Sequence, residues 1–385
     1  MGIKLGNICR FQSGGTPSKG KPEFFNGTIP WITTTALNGG NIGKESAVDW
    51  ISEQAIKESA AKIVPAFSIM VGTRVGVGKV AINTMSMSTS QDIISLLDID
   101  ESIWSKAFLC KFLQAKGTFL NAQARGATIK GIKIDVLSEL ELPEIPIEEQ
   151  QHISQIIDKV KTTIAIRQKQ LQKLDDLVKA RFVELFGAYP HNPMGWKTGT
   201  IRDVVTDVRY GSSRPAVDGG KYPYLRMNNI TYGGELDLSD VKRIDVPENE
   251  LEKCTVRRGD VLFNRTNSKE LVGKTCVYDR DEMMVLAGFV IRVRVNDVVL
   301  PEFLSAFLNT DFSKRTLLGM CKAAIGQANI NAQEMQNIGI YIPPIELQRE
   351  FVQFKNQIDK SKAVIQKALD EAQLLFYSLM QKYFG

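Results

Sequence analysis

The chain has 385 residues, 43% hydrophobic and 24% charged, with a formal net charge of +5. That length holds two or three domains with sizeable cores, and the charge permits a polyanionic partner while falling short of a small, purely electrostatic nucleic-acid binder. Five scattered cysteines (Cys9, Cys110, Cys254, Cys276 and Cys321) without a CxxC pair argue for reduced thiols, and only two histidines, His152 and His191, argue against a zinc site or a histidine-based triad.

The N-terminus, MGIKLGNICRF, has no apolar signal-peptide core, and no 18-residue apolar run occurs. The expectation is a cytoplasmic chain, neither exported nor spanning a membrane. Residues 1–141 read as strand-rich: runs such as Ile29-Pro30-Trp31-Ile32 and Ser68-Ile69-Met70-Val71 stand between glycine-rich turns. From Ile147 to Phe186 there is neither proline nor glycine. Apolar residues at Ile153, Ile157, Val160, Ile164, Leu171, Leu174, Val178 and Leu185 step mostly by four and three, a heptad seam that Arg167 interrupts. About 40 residues at 1.5 Å rise predict roughly 60 Å of helix. Pro146 and Glu148-Glu149 suit its start, and Gly187 its stop. Residues 188–339 are again strand-rich, with Asp260-Val261-Leu262-Phe263 and Phe289-Val290-Ile291-Arg292-Val293 as candidate strands. A second helix carries Phe351, Ile358, Ile365, Leu369, Ala372, Phe376, Leu379 and Tyr383 on the same frame, interrupted by Lys355 and Lys362.

The second helix repeats the first. Leu142 to Gly187 aligns without a gap with Ile340 to Gly385, so that Pro146-Ile147-Glu148 meets Pro344-Ile345-Glu346 and Phe186-Gly187 meets Phe384-Gly385. The chain therefore reads as two copies of one unit, each ending in a long helix. Neither helix buries its stripe alone. The simplest arrangement packs the two on each other, antiparallel because a domain lies between them; the alternative packs each on its own domain. The strand-rich segments align more loosely: Lys4-Leu5-Gly6-Asn7-Ile8 with Lys197-Thr198-Gly199-Thr200-Ile201, Ile29-Pro30-Trp31-Ile32 with Tyr222-Pro223-Tyr224-Leu225, Val77-Gly78-Lys79 with Val272-Gly273-Lys274, and Ala127-Thr128-Ile129 with Ala328-Asn329-Ile330. Loops diverge where scaffold matches, as in Thr33 to Asn38 against Arg226 to Thr231. Two copies of one fold with different loops would read two different things. The predicted class is α+β: two pseudo-symmetric strand-rich domains, 1–141 and 188–339, separated by two long antiparallel helices, 142–187 and 340–385, forming a coiled coil.

Catalytic signals fail on inspection. Gly273-Lys274-Thr275 resembles the end of a phosphate-binding loop, but Ser268 stands where that loop needs a glycine, and Thr73 stands there in the other copy. Asn192-Pro193-Met194-Gly195 is not the Asn/Asp-Pro-Pro-aromatic motif of an adenine methyltransferase. No acidic pair has a spacing that argues for acid/base work. The chain reads as a binding protein, without metal or cofactor of its own.

Several motifs together, in this order, resemble the specificity subunits of type I restriction–modification systems. They are the paired Pro-Ile-Glu-x-Gln openings (Pro146 to Gln150, Pro344 to Gln348), the helix end Leu174 to Gly187, the segment Pro193-Met194-Gly195-Trp196-Lys197, and Gly14-Gly15-Thr16-Pro17 followed by Ile29 to Ile32. The resemblance covers the whole chain. The second helix end, Leu374 to Gly385, departs from the family's pattern, and the terminal extension that completes a pseudo-circular arrangement in some members is expected to be missing. The resemblance implies two target-recognition domains, each reading half of a bipartite asymmetric DNA site, with the helices as a ruler for the spacer. It also implies partners: two modification subunits that hold S-adenosylmethionine and methylate adenine N6, and restriction subunits that use ATP and Mg.

Reading base edges calls for Arg, Lys, Asn, Gln, Ser and Thr on loops, with phosphate contacts to set register. Candidates in the first domain are Thr33, Thr34, Asn38, Arg74, Lys79, Arg125 and Lys130. In the second they are Arg209, Ser212, Ser213, Arg226, Asn228, Asn229, Arg265, Asn267, Lys269 and Lys274, with Arg226 and Arg265 foremost because Arg grips guanine with two hydrogen bonds. Trp31 and Tyr224, each following a proline, read as core aromatics rather than stacking platforms. Two other readings compete: a non-catalytic coiled-coil adaptor that binds proteins, and the recognition chain of a related restriction enzyme whose cleavage and methylation share one partner polypeptide.

Overall fold

The computed structural model describes residues 2–126, 130–321 and 328–385, so the pairing expected of Ala127-Thr128-Ile129 lies outside the described residues. The chain divides into two compact units, Met1–Ile166 with Ala368–Gly385, and Arg167–Lys367.

In the first unit, a five-stranded sheet runs in the order Arg10–Ser13, Ile93–Leu97, Ile69–Gly72, Val80–Asn83, Asn41–Ile42. A four-stranded sheet runs Asp49–Ile51, Ile29–Ile32, Met87–Thr89, Ile63–Val64. The short pair Ile3–Lys4 and Glu141–Leu142 closes the domain. The strand Ile69–Gly72 is buried along its whole length, as a short continuous apolar run predicts.

The second unit repeats this plan. One sheet runs Val205–Tyr210, Val290–Val295, Val261–Asn264, Thr275–Val277, and the other Lys242–Ile244, Tyr222–Leu225, Met284–Leu286, Thr255–Val256. Strand pairings correspond residue by residue: Trp31 and Ile32 lie parallel to Ser88 and Thr89, and Tyr224 and Leu225 parallel to Val285 and Leu286. One alignment is corrected. The amide of Leu5 donates to Leu140 O and that of Ile201 to Ile338 O, each 2.9 Å. Lys4 pairs with Glu141 and Thr200 with Gly339. Leu5 therefore matches Ile201, and the alignment of Lys4 with Lys197 is three residues out of register; the shared Lys-x-Gly-x-Ile pattern is coincidental. A candidate strand is also shortened: it begins at Val290, and Phe289 stands outside it, 53% exposed.

The long helices span Ile147–Phe186 and Ile345–Phe384, 40 residues each. Each starts in one unit and ends in the other. In the first unit Ile153 and Ile157 share a core with Phe384, and Phe376, Leu379, Met380 and Tyr383 pack against it. In the second, Phe182 and Phe186 share a core with Phe351, with Val178, Leu347 and Val352 against it. The start of one helix thus meets the end of the other in both units, and the pair is antiparallel. The helices pack on each other, and each also packs on both domains rather than on its own alone, because the same helix turns bury against domain residues such as Phe108 and Phe303. The predicted seam positions Val160, Ile164, Leu171, Leu174, Val178, Ile358, Ile365 and Phe376 are half-buried, and Leu369 is buried.

Two features explain the repeated helix motifs. Gln150 accepts from Ser105 N–H (2.9 Å) and donates to the carbonyls of Ile103 and Ile145 (3.0 Å each). Gln348 accepts from Leu300 N–H (2.8 Å) and donates to Val298 O and Pro343 O (2.9 Å each). Each glutamine pins a helix start to its domain. At the other end, the Phe384 ring lies 5.1 Å from that of Phe108, and the Phe186 ring 5.0 Å from that of Phe303. Gly187, at φ +83°, ends the first helix in the left-handed conformation that glycine adopts freely. Among the described residues, no helix is long and apolar enough to cross a membrane.

Candidate nucleic-acid interface

The turn after the first sheet strand is held the same way in both units. Gly14 N–H donates to Ile93 O and Gly211 N–H to Val290 O. A Cβ on Gly14 would lie 2.2 Å from Ser90 O, and one on Gly211 2.1 Å from Leu286 O, so neither position tolerates a side chain. Trp31 Nε1 donates to Gly15 O (3.0 Å), while Tyr224 Oη donates to Arg214 O (3.0 Å). Both aromatics are core residues that fasten this turn, as the sequence suggests.

In the second unit the turn borders a cleft of about 540 Å³. Five of the sequence candidates line it: Ser212, Ser213, Arg226, Asn228 and Arg265. They come from three separate segments. Arg226 follows the strand Tyr222–Leu225; its Nη2 pairs with the Asp240 carboxylate at 2.9 Å, and its buried Nε has no hydrogen-bond partner among the described residues. Arg265 follows the strand Val261–Asn264. Its guanidinium lies 4.7 Å over the Tyr210 ring, with a long 3.5 Å contact to Gly288 O. Its buried Nε is also unpartnered among the described residues. A flat cation held by an aromatic face, with hydrogen-bonding capacity to spare, suits a planar acceptor edge.

Other candidates fall elsewhere. Asn229 is 2% exposed; its amide donates to the carbonyls of Asp237 and Asp240 and accepts from Arg226 N–H, so it braces the loop. Lys274 is buried, donates to Met227 O at 2.8 Å, and burial pulls its pKa down. Thr34 is 4% exposed. These three are structural. Arg209 is exposed and pairs with Asp207 at 2.7 Å, Asn267 is half-buried, and Lys269 is exposed.

The sequence reading missed Arg214 and Phe289, which also line the cleft. Arg214 pairs with Glu250 at 2.7 Å. Its signal was its place beside Ser212-Ser213. Phe289 was counted as a strand residue, and only the exposed ring reveals its position.

In the first unit the equivalent segments also converge. Gly72 N–H donates to Lys79 O, and Asn264 N–H to Lys274 O, which makes Lys79 and Lys274 equivalent. Thr73 O and Arg265 O accept from Ile132 and Ile330, so Thr73 occupies the place of Arg265. The loop holding Thr33 and Asn38 adjoins Val80 through Gly39 N–H (2.8 Å). Arg74 lies against Gly131, where a Cβ would meet its Cγ at 2.9 Å, and Arg125 bridges to Gly131. Arg74, Lys79, Arg125, Lys130 and Asn38 are exposed, and Thr33 half-buried. Here the loops offer threonine, lysine and exposed arginine in place of two half-buried arginines.

A sequence profile of the type I restriction modification DNA specificity domain matches residues 2–176 and 193–374. The EcoKI specificity subunit of Escherichia coli K12 is 22% identical over 381 residues, covering 92% of this chain and 82% of that protein. The EcoR124I/EcoR124II specificity subunit of Escherichia coli is 32% identical over 192 residues, 45% of this chain and 46% of that one. The crystal structure of a type I restriction–modification S subunit from M. genitalium superposes with a TM-score of 0.58 at 15% identity, covering 100% of this chain and 96% of that one. A chain from a structural study of type I complex assembly and conformational transition gives 0.63 at 17%, covering 100% and 97%. The chain belongs to the type I restriction–modification specificity family. It is a DNA-recognition subunit without catalytic activity of its own; methylation and restriction sit in other subunits.

Proposed function

We propose that each unit reads one half of a bipartite, asymmetric double-stranded DNA site, with the second unit reading through the cleft of Ser212, Ser213, Arg226, Asn228 and Arg265. The observation that carries this reading is a matched scaffold with unmatched loop chemistry: Thr33 stands where the second unit has Arg226, and Thr73 where it has Arg265. Arg265 takes guanine through N7 and O6, and exposed Arg74, Lys79, Arg125 and Lys130 serve phosphates and base edges in the first unit. The antiparallel helices set the spacer between half-sites. Two modification subunits carrying S-adenosylmethionine assemble on this chain to methylate adenine N6, and restriction subunits using ATP and Mg join them, in the cytoplasm.

Methylome sequencing of cells that express the chain with a modification subunit, against cells lacking the chain, tests this directly. A bipartite N6-methyladenine motif that vanishes without the chain is the expected result. An uninterrupted motif, or methylation indifferent to the chain, overturns it.

A further inference from the structure

We propose that one lysine of the helix pair in each unit, Lys161 in the first and Lys362 in the second, is a positioning residue that sets the DNA-reading loop of its own unit. The inference rests on the reading role given above to those loops. In the first unit Lys161 Nζ donates to Gln114 Oε1 (2.9 Å), and Gln114 Nε2 donates to Gly39 O (2.7 Å). Gly39 directly follows the Thr33–Asn38 loop segment and sits at φ +85°, with Gln114 Nε2 3.3 Å from where its Cβ would be. Two hydrogen bonds therefore tie helix to loop.

In the second unit Lys362 pairs with Asp175 of the other long helix at 2.8 Å and with Glu235. Its side chain is only 18% exposed. Asp175 alone would satisfy a cation between the helices; the second carboxylate comes from the loop. Glu235 stands at the loop's tip, where its carbonyl accepts from Thr231 N–H (2.9 Å). From there the Asn229 amide donates to Asp237 O and Asp240 O, and Arg226 bonds to both Asn229 and Asp240. A shift of the tip therefore moves Arg226 and Asn228 in the cleft.

The two lysines are not copies of one position. In the gapless helix alignment Lys161 stands opposite Asp359, and Lys362 opposite Ile164. The same link is built separately in each unit, from different helices, so each half-site is adjustable without the other.

The test uses the full chain with its modification subunit and duplexes carrying single base changes in one half-site, once the wild-type motif is known. Methylation rates on correct and altered duplexes give a discrimination ratio for each half. Lys161→Met should lower that ratio by about two- to thirtyfold at one half-site only, and Lys362→Met at the other only. Arginine at either position should retain most of it. Gln114→Glu, which loses the donor to Gly39, and Glu235→Ala give the same pair of tests if a methionine variant does not accumulate. Loss at both half-sites from either substitution, or at neither, overturns the proposal. A wild-type complex with no bipartite motif would refute the reading role itself, and the inference with it.

Discussion

Removing the carboxamide of Gln150 or Gln348 strands a buried amide hydrogen and two carbonyls in each case. Gln150→Ala and Gln348→Ala should each cost roughly 2–4 kcal/mol, read as a lowered denaturation midpoint in urea. Arg265→Ala should behave oppositely: little change in that midpoint, but relaxed discrimination at one base pair of the second half-site, worth about 1–3 kcal/mol in a duplex competition assay. Lys314 supplies a pH signature. Burial, with Lys274 and Lys179 nearby, lowers its pKa to about 8. The unfolded chain therefore binds more protons than the folded one above that value, so stability should rise from about pH 8 until the ordinary lysine range is passed. Lys314→Met should abolish this rise in pH-dependent melts. At this scale the sequence was only partly legible. The glutamines stood out as a repeated motif, but their partners lie 45 and 48 residues away. Asn228 and Asn229 are adjacent and alike in type, yet one faces solvent and the other is sealed in the loop. Residue type names a capability; the turn's geometry decides which neighbour exercises it.

The long helices were the most legible elements, because a heptad stripe without glycine or proline has few other ways to fold. Their terminal phenylalanines were not. Phe186 and Phe384 close aromatic clusters that only the three-dimensional fold reveals. Phe186→Ala and Phe384→Ala should each cost about 3–5 kcal/mol by leaving a cavity, with tryptic cleavage increasing first in the unit whose core was opened. Strand registers were legible where a proline marked them, as in Ile29–Ile32 and Tyr222–Leu225. They were not at the N-terminal edge, where two short strands carry little side-chain pattern and the backbone hydrogen bonds alone settle the match.

At the scale of the whole molecule, the gapless helix repeat carried the architecture, and the divergent loops carried the expectation of two readings. The bases read were never legible, since base choice depends on where a guanidinium points. The ruler role makes a quantitative prediction. Seven residues added to both helices, between Gln168 and Lys173 and between Lys362 and Leu369, preserve the heptad and add about 10 Å. The spacer in the methylated motif should lengthen by about 3 base pairs, with both half-sites unchanged, as methylome sequencing would report.

The division of the chain has a consequence for its synthesis. The unit that contains the first residues is completed by Ala368–Gly385, including Phe384 at its core. A ribosome working at about 5–20 residues per second needs roughly 10 to 40 s to make the intervening stretch. Throughout that interval the first-made domain waits with part of its aromatic core uncovered, and a nascent chain interrupted late in translation never closes it. Only chains translated through Ala368–Gly385 complete that core.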